Sequence, residues 1–207
     1  LDAAIDRLAA RLEAGEDLGA LMAELDALIG RGAAGLRLAS GWRVVLTGRP
    51  NVGKSRLLNA LAGYARAIVS PVPGTTRDAL TVRTAFDGWP VELVDTAGVR
   101  EARDVVERTG VERALLERDR ADLTLHLLDG SQPLTDEDLG EIGPRSLVVV
   151  SKADLPAAWD PADRLAGLPY VVVSAEAGTG LEELGGRIAE AGAPVPPPPG
   201  AGVPFRP

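Results

Sequence analysis

The sequence predicts an α/β fold: a mostly parallel six-stranded sheet with one antiparallel edge strand and helices on both faces. Three observations carry that expectation. Aliphatic and β-branched runs alternate with helix-like runs through the middle of the chain, the pattern of a sheet covered by crossover helices. The first of those runs ends in Gly48-Arg49-Pro50-Asn51-Val52-Gly53-Lys54-Ser55, a G-x-x-x-x-G-K-[ST] loop of the kind that joins a strand to a helix. Asp87-Gly88, between the second and third runs, is a hairpin turn signal, so those two strands should run antiparallel.

Taken in order, a short helix is expected over residues 1–12, broken at Gly15-Glu16-Asp17. Leu18, Leu21, Met22, Leu25, Leu28 and Ile29 are spaced for one face of a second helix, which Gly30 should stop, leaving residues 32–41 as a connector. Two amphipathic helices with little of their own to pack on read as a fragment of a helical domain, the alternative being that they fold back onto the core; residues 1–40 are set apart from residues 41–191. Strands are expected near residues 42–47, 80–86, 91–95, 123–128, 147–150 and 170–173. Pro194-Val195-Pro196-Pro197-Pro198-Pro199-Gly200 has few backbone donors and little conformational freedom, which makes residues 192–207 a stiff, extended linker or tail. The first residue is Leu1 rather than Met, the expectation being a piece of a longer protein.

Composition narrows the class. A chain of 207 residues can build one domain with a sizeable core plus a short appendage. No apolar run approaches the roughly twenty residues of a bilayer span, and no secretory signal is visible. Cysteine is absent, which excludes disulfides, thiolate metal sites and cysteine nucleophiles; with no export signal, a cytoplasmic location is expected. The net charge of -8 argues against nucleic-acid or anionic-membrane binding by this piece alone.

The chemistry is carried by motifs in a fixed order. In the first loop the glycines let successive N–H groups turn toward phosphate oxygens, Lys54 reaches the terminal phosphates and the Ser55 hydroxyl can ligate Mg²⁺. Asn51, Val52, Gly53, Lys54, Ser55 and Arg56 are the expected nucleotide contacts there, aided by the positive end of the helix that opens near Lys54. Gly74-Thr75-Thr76-Arg77-Asp78 lies in an irregular, proline-containing stretch where a threonine can reach Mg²⁺ and the γ-phosphate. Asp95-Thr96-Ala97-Gly98 follows a strand, which puts the Asp95 carboxylate beside the metal and the Gly98 N–H near the γ-phosphate. Ser151-Lys152-Ala153-Asp154 resembles the guanine-reading N/T-K-x-D motif, with Asp154 accepting from guanine N–H groups and the Lys152 stem covering the ring; Ser174-Ala175-Glu176 resembles the S-A-x turn that offers a backbone N–H to the guanine carbonyl. Ser151 stands where Asn or Thr is usual, so a weaker tie between this loop and the phosphate loop is expected. Singly these are weak signals, but in this order they describe a Ras-like P-loop GTPase that binds GTP or GDP.

A closer likeness follows from longer stretches. Gly48 to Gly63, Ala67-Ile68-Val69, Gly74 to Asp78, Asp95 to Ala102 and Val106-Glu107-Arg108-Thr109-Gly110-Val111-Glu112-Arg113-Ala114 resemble the G domain of the MnmE (TrmE) family of tRNA-modification GTPases, among the TrmE-Era-Der-like GTPases. The resemblance spans roughly residues 41–191, and the residues before it are similar to the helical segment that enters the G domain in that family. It implies GTP hydrolysis, a homodimer formed through the G domains in the GTP state, and a K⁺ ion held by Asn51 with Ser70, Val72 and Thr75. It also implies Mg²⁺ held by Ser55, Thr76 and Asp95, and a catalytic set of Glu107, Thr76 and Gly98, with Glu107 orienting the attacking water through a second water. A tRNA-modification partner protein is implied as well. The position after the switch glycine is Val99, whose side chain cannot hold a water, so another group must do so. Read without the family, Glu107 is a solvated helix-start carboxylate and Asn51 a turn residue. A ribosome-assembly GTPase of the Era or Der type, or a GTP-dependent recruitment module with little turnover, are the alternatives. His126, the single histidine, reads as a core-strand residue.

Overall fold

The computed structural model describes residues 2–65, 80–95 and 118–192. Contacts divide the chain into two units, one whose described part is residues 2–41 and one running Trp42–Gly192.

In the first unit, α1 (Asp2–Glu13) and α2 (Leu18–Ser40) form a helical pair. Asp17 starts α2 by accepting the Ala20 N–H at 3.0 Å, an N-cap contact. Arg11 links the pair, with Nε 2.7 Å from Glu16 and Nη1 2.5 Å from Glu24, but all three side chains are exposed and such pairs contribute little. The expected stop at Gly30 is not where α2 ends. Glycine costs only about 1 kcal/mol relative to alanine inside a helix, and Ala33, Ala34, Leu36, Arg37, Leu38 and Ala39 are good helix formers that carry the helix past Gly30, Gly32 and Gly35. It ends at left-handed Gly41, φ 77°, so the expected connector is helix. Of the apolar stripe, Leu21 and Leu28 are buried, while Leu18, Met22, Leu25 and Ile29 are exposed.

The second unit is the expected mixed sheet, in the order β2-β3-β1-β4-β5-β6. Its strands are β1 (Trp42–Thr47), β2 (Leu80–Phe86), β3 (Trp89–Asp95), β4 (Leu123–Asp129), β5 (Ser146–Ser151) and β6 (Tyr170–Val172). Among the described strands only β2–β3 pair antiparallel, joined through Asp87-Gly88, both in left-handed conformation, φ 47° and 81°. The period of two along each strand sorts the core. Val44, Leu46, Leu93, Leu125 and Val149 pack with Leu57, Leu58 and Leu61 of α3 (Lys54–Tyr64) and Leu184 and Ile188 of α6 (Leu181–Gly192). Leu128, Val148 and Val150 join Leu165 in a second cluster, against which Leu139 of α4 (Asp136–Gly140) packs; Leu165 directly follows α5 (Pro161–Arg164). This two-faced burial leaves the carboxyl ends of β1, β3, β4 and β5 together, the edge at which open α/β sheets hold ligands.

Candidate nucleotide-binding site

The phosphate loop is shaped by three left-handed residues. Gly48 has φ 124°, and a Cβ there would run into the Leu127 carbonyl of neighbouring β4, so the strand-to-loop turn admits only glycine. Asn51, φ 62°, and Gly53, φ 104°, complete the curl, and α3 begins at Lys54 with the Leu57 N–H bonded to the Gly53 carbonyl at 2.9 Å. Asparagine tolerates that conformation better than most residues. Lys54 is buried, its Nζ donating to the Gly48 and Arg49 carbonyls at 2.8 and 2.6 Å, so the loop wraps its own ammonium.

Register then brings the metal-type ligands together. Leu46 of β1 pairs with Asp95 of β3, which sets the fully buried Asp95 carboxylate against the first turn of α3, where it accepts the Ser55 hydroxyl. One hydroxyl and one carboxylate are hard oxygen donors suited to Mg²⁺, which commonly takes one or two protein oxygens and completes its shell with phosphates and water. Among the described residues no cluster of three or more acidic, histidine or cysteine side chains offers an alternative metal site.

The loops expected to read the base meet at the ends of β5 and β6. The Ser174 hydroxyl donates to Asp154 Oδ1 at 2.5 Å and accepts the Ala177 N–H at 3.0 Å, while the Ala153 N–H bonds the Val173 carbonyl at 3.1 Å. Ser174 is fully buried and Ala175 half-buried. The Ser174 bond, aided by the Asp154 N–H, holds the Asp154 carboxyl below the usual carboxylate range. Lys152 is in left-handed conformation, φ 61°. The expected weakness at Ser151 is not seen: its hydroxyl donates to the Val52 carbonyl at 2.7 Å and lies 3.0 Å from the Leu128 carbonyl, which ties the base loop to the phosphate loop and to β4. Arg56 is exposed, 4.0 Å from the equally exposed Glu176, a pair worth little.

Residues not singled out in the sequence brace the phosphate loop from its other side. Arg49 Nε lies 2.5 Å from Asp138 Oδ1, Arg49 Nη2 donates to the Thr135 hydroxyl at 2.6 Å, and the Thr135 N–H donates to Asp138 Oδ2 at 2.9 Å. Thr135-x-x-Asp138 fits the [ST]-x-x-[DE] helix-start pattern, which was the available signal. His126 lies beside this brace and is a core residue, as expected. Its Nε2 must donate to the Asp138 carbonyl, 3.1 Å away, so in the neutral ring Nδ1 accepts from the Thr47 hydroxyl at 3.2 Å.

Burial depresses the His126 pKa from its ordinary 6.5, against the opposing pull of Glu141 and the Asp138 carbonyl. A depressed histidine pKa means that the unfolded chain binds the proton first. The stabilisation is therefore complete above the unfolded value and is lost as pH falls from there toward the folded value. The urea midpoint is expected to drop between about pH 7.5 and about pH 5.5, and less so in His126→Gln; an equal drop in both proteins would assign the effect to other groups.

Residues 43–152, just over half of the chain, match the sequence profile of the family described as 50S ribosome-binding GTPase. The chain belongs to this GTPase family. As a GTPase domain it is 46% identical over 176 residues to the tRNA modification GTPase MnmE of Heliobacterium modesticaldum, covering 81% of this chain and 38% of that protein. It is 45% identical over 180 residues to an MnmE of Thermus thermophilus, covering 87% of this chain and 40% of that protein. The chain thus spans about two fifths of the length of these curated relatives. Among solved structures, the G domain of the T. maritima FeoB iron transporter superposes with TM-score 0.54 at 28% identity, covering 72% of this chain and 98% of that one. The FeoB G domain from Methanococcus jannaschii, at TM-score 0.50 and 24% identity, shares the fold. The expected resemblance to MnmE and the Ras-like sheet both stand. No described helix of the GTPase is long and apolar enough to cross a membrane. Ser70, Val72, Thr75, Thr76, Gly98 and Glu107 lie outside the described residues.

Proposed function

We propose that this GTPase domain is the hydrolytic switch of a tRNA-modification GTPase, stimulated by K⁺ and working as a homodimer that closes through the nucleotide face. The observation that supports this most is the joining of both ends of the site: Ser151 bonds the phosphate loop at Val52, and Ser174 bonds Asp154. In this reading Val52, Gly53, Lys54 and the backbone up to Arg56 hold the phosphates, Lys152 and Asp154 read guanine, and Ala175 contributes its N–H. Ser55, Asp95 and Thr76 hold Mg²⁺, which when bound supplies charge stabilisation to the phosphates. Exposed Asn51 offers a side-chain oxygen to K⁺, with Ser70, Val72 and Thr75 completing the set. The ion's positive charge stands where an arginine would otherwise act. Gly98 contacts the γ-phosphate, and Glu107 positions water that Val99 cannot hold. The relatives quoted above are named for tRNA modification, so a partner in that chemistry and a cytoplasmic setting belong to this proposal. The exposed apolar positions of α2, Leu18, Met22, Leu25 and Ile29, support reading residues 1–40 as part of a helical domain. Residues 192–207 would act as a linker or tail; Gly192 itself closes α6, and the rest lie outside the described residues.

The test is multiple-turnover phosphate release in matched KCl and NaCl. The rate in KCl should exceed that in NaCl by more than about tenfold, since a correctly placed cation at the transferring phosphate has a large effect. Asn51→Ala should remove most of the difference. Equal rates in both salts would overturn the K⁺ assignment, and no turnover at all would favour a recruitment module. The family's description as 50S ribosome-binding favours a second reading, a ribosome-assembly role of the Era or Der type, which co-sedimentation with ribosomes would reveal.

A further inference from the structure

The ammonium of Lys152 is anchored. Its Nζ lies 2.6 Å from Asp129 Oδ2 at the carboxyl end of β4. Asp129 is the register partner of Ser151, so the lysine that follows Ser151 runs from the end of β5 back across to the end of β4. Asp129 is itself fixed before it meets the lysine. Its other carboxylate oxygen accepts the Ser131 N–H at 2.9 Å and the Ser131 hydroxyl at 2.7 Å, and its carbonyl accepts Trp159 Nε1 at 3.0 Å. The next residue, Gly130, donates to the Ser151 carbonyl at 3.0 Å and accepts the Ala158 N–H at 2.8 Å. Burial alone would push the Asp129 carboxyl up, but the bonds from Lys152 and Ser131 outweigh it and hold the group below the usual carboxylate range. It is ionised at neutral pH.

We propose that Asp129 is a positioning residue for guanine binding: by fixing the Lys152 ammonium, it lays the lysine's aliphatic stem in advance as the surface on which the purine ring rests. This rests on the assignment of Lys152 and Asp154 as the base-reading pair. An untethered lysine stem explores many rotamers, and ordering it when the nucleotide arrives opposes binding. The tether moves that ordering into folding. The stem meets the face of the ring and is blind to the 2-amino group, whereas Asp154 reads the ring's edge. Asp129 therefore acts on affinity without touching base choice, whereas Asp154 acts on both.

Calorimetric titration of the whole 207-residue chain with GDP and with inosine diphosphate, which lacks the 2-amino group, separates these roles. Asp129→Asn is the selective change, because its Oδ1 can still accept from Ser131 while the charge facing Lys152 is lost. It should raise Kd for both nucleotides by about three- to tenfold. The preference for GDP over IDP should be unchanged. In a Lys152→Ala background, with no stem left to place, Asp129→Asn should add nothing. The proposal is overturned if Asp129→Asn leaves both affinities intact, if its effect adds in full to that of Lys152→Ala, or if the preference for GDP over IDP is lost, which would mean that the whole loop had shifted. Lys152→Ala binding GDP as tightly as wild type would overturn the base-site assignment itself. Weakening by Lys152→Ala with a silent Asp129→Asn would remove the tether alone.

Discussion

Asp154→Asn is expected to weaken GDP and GTP binding by about ten- to a hundredfold, the usual range for losing a charge-assisted hydrogen-bond acceptor. The substitution is well isolated. Oδ1 of Asp154 is taken by the Ser174 hydroxyl at 2.5 Å, and an asparagine oxygen can keep that bond, so only the oxygen left for the base becomes a donor. That amide would then face the N–H groups of guanine, donor against donor. Wild-type protein should bind GTP far better than ATP, because adenine has no ring N–H or 2-amino group to offer the carboxylate. Equal affinities for ATP and GTP would end the guanine assignment, and unchanged GDP affinity in Asp154→Asn would take this residue out of it.

Glu107→Ala should act on rate and not on affinity. If Glu107 orients the attacking water through a second water, its contribution arises only at the reacting geometry. Single-turnover hydrolysis in saturating K⁺ should fall by about 10²- to 10⁴-fold, the usual span for positioning and acid-base groups. Nucleotide affinity and dimerisation induced by a transition-state analogue should stay near wild type. A variant that hydrolyses GTP at the full rate would leave Glu107 as a solvated carboxylate, with the nucleotide site intact.

The sheet could be read from sequence because its signals are local. Asp87-Gly88 dictates a hairpin, and the aliphatic run Val44-Val45-Leu46 marks β1 without knowledge of its partners. The phosphate loop was readable for the same reason, since Gly48 and Gly53 are needed by the backbone itself. The extent of α2 was not, because glycine is a weak stop signal that several neighbouring helix formers override together. The departure from Asn or Thr at Ser151 suggests a weaker tie, but a serine reaches Val52 because β5 delivers its backbone close enough, a distance no motif encodes. Asp129 and the Arg49–Asp138 brace were invisible as pairs. Each joins segments far apart in the chain that only the order of strands makes neighbours.

One rung of the ladder gives the domain its economy of signalling. Asp95, the last residue of β3, is paired with Leu80, the first of β2, on one side and with Leu46, the penultimate residue of β1, on the other. The phosphate loop leaves the sheet one residue beyond β1, the Gly-Thr-Thr-Arg-Asp segment enters it just before Leu80, and the Asp-Thr-Ala-Gly segment departs from Asp95 itself. Three stretches of chain that the proposed function asks to register one phosphate are thus moored at a single level, laterally, across adjacent strands. A displacement at any one mooring is conveyed sideways over one strand spacing, about 4.8 Å, instead of along a strand or through a helix. Under the proposed switch function, nucleotide state would be a property of a crossbar rather than of a lever.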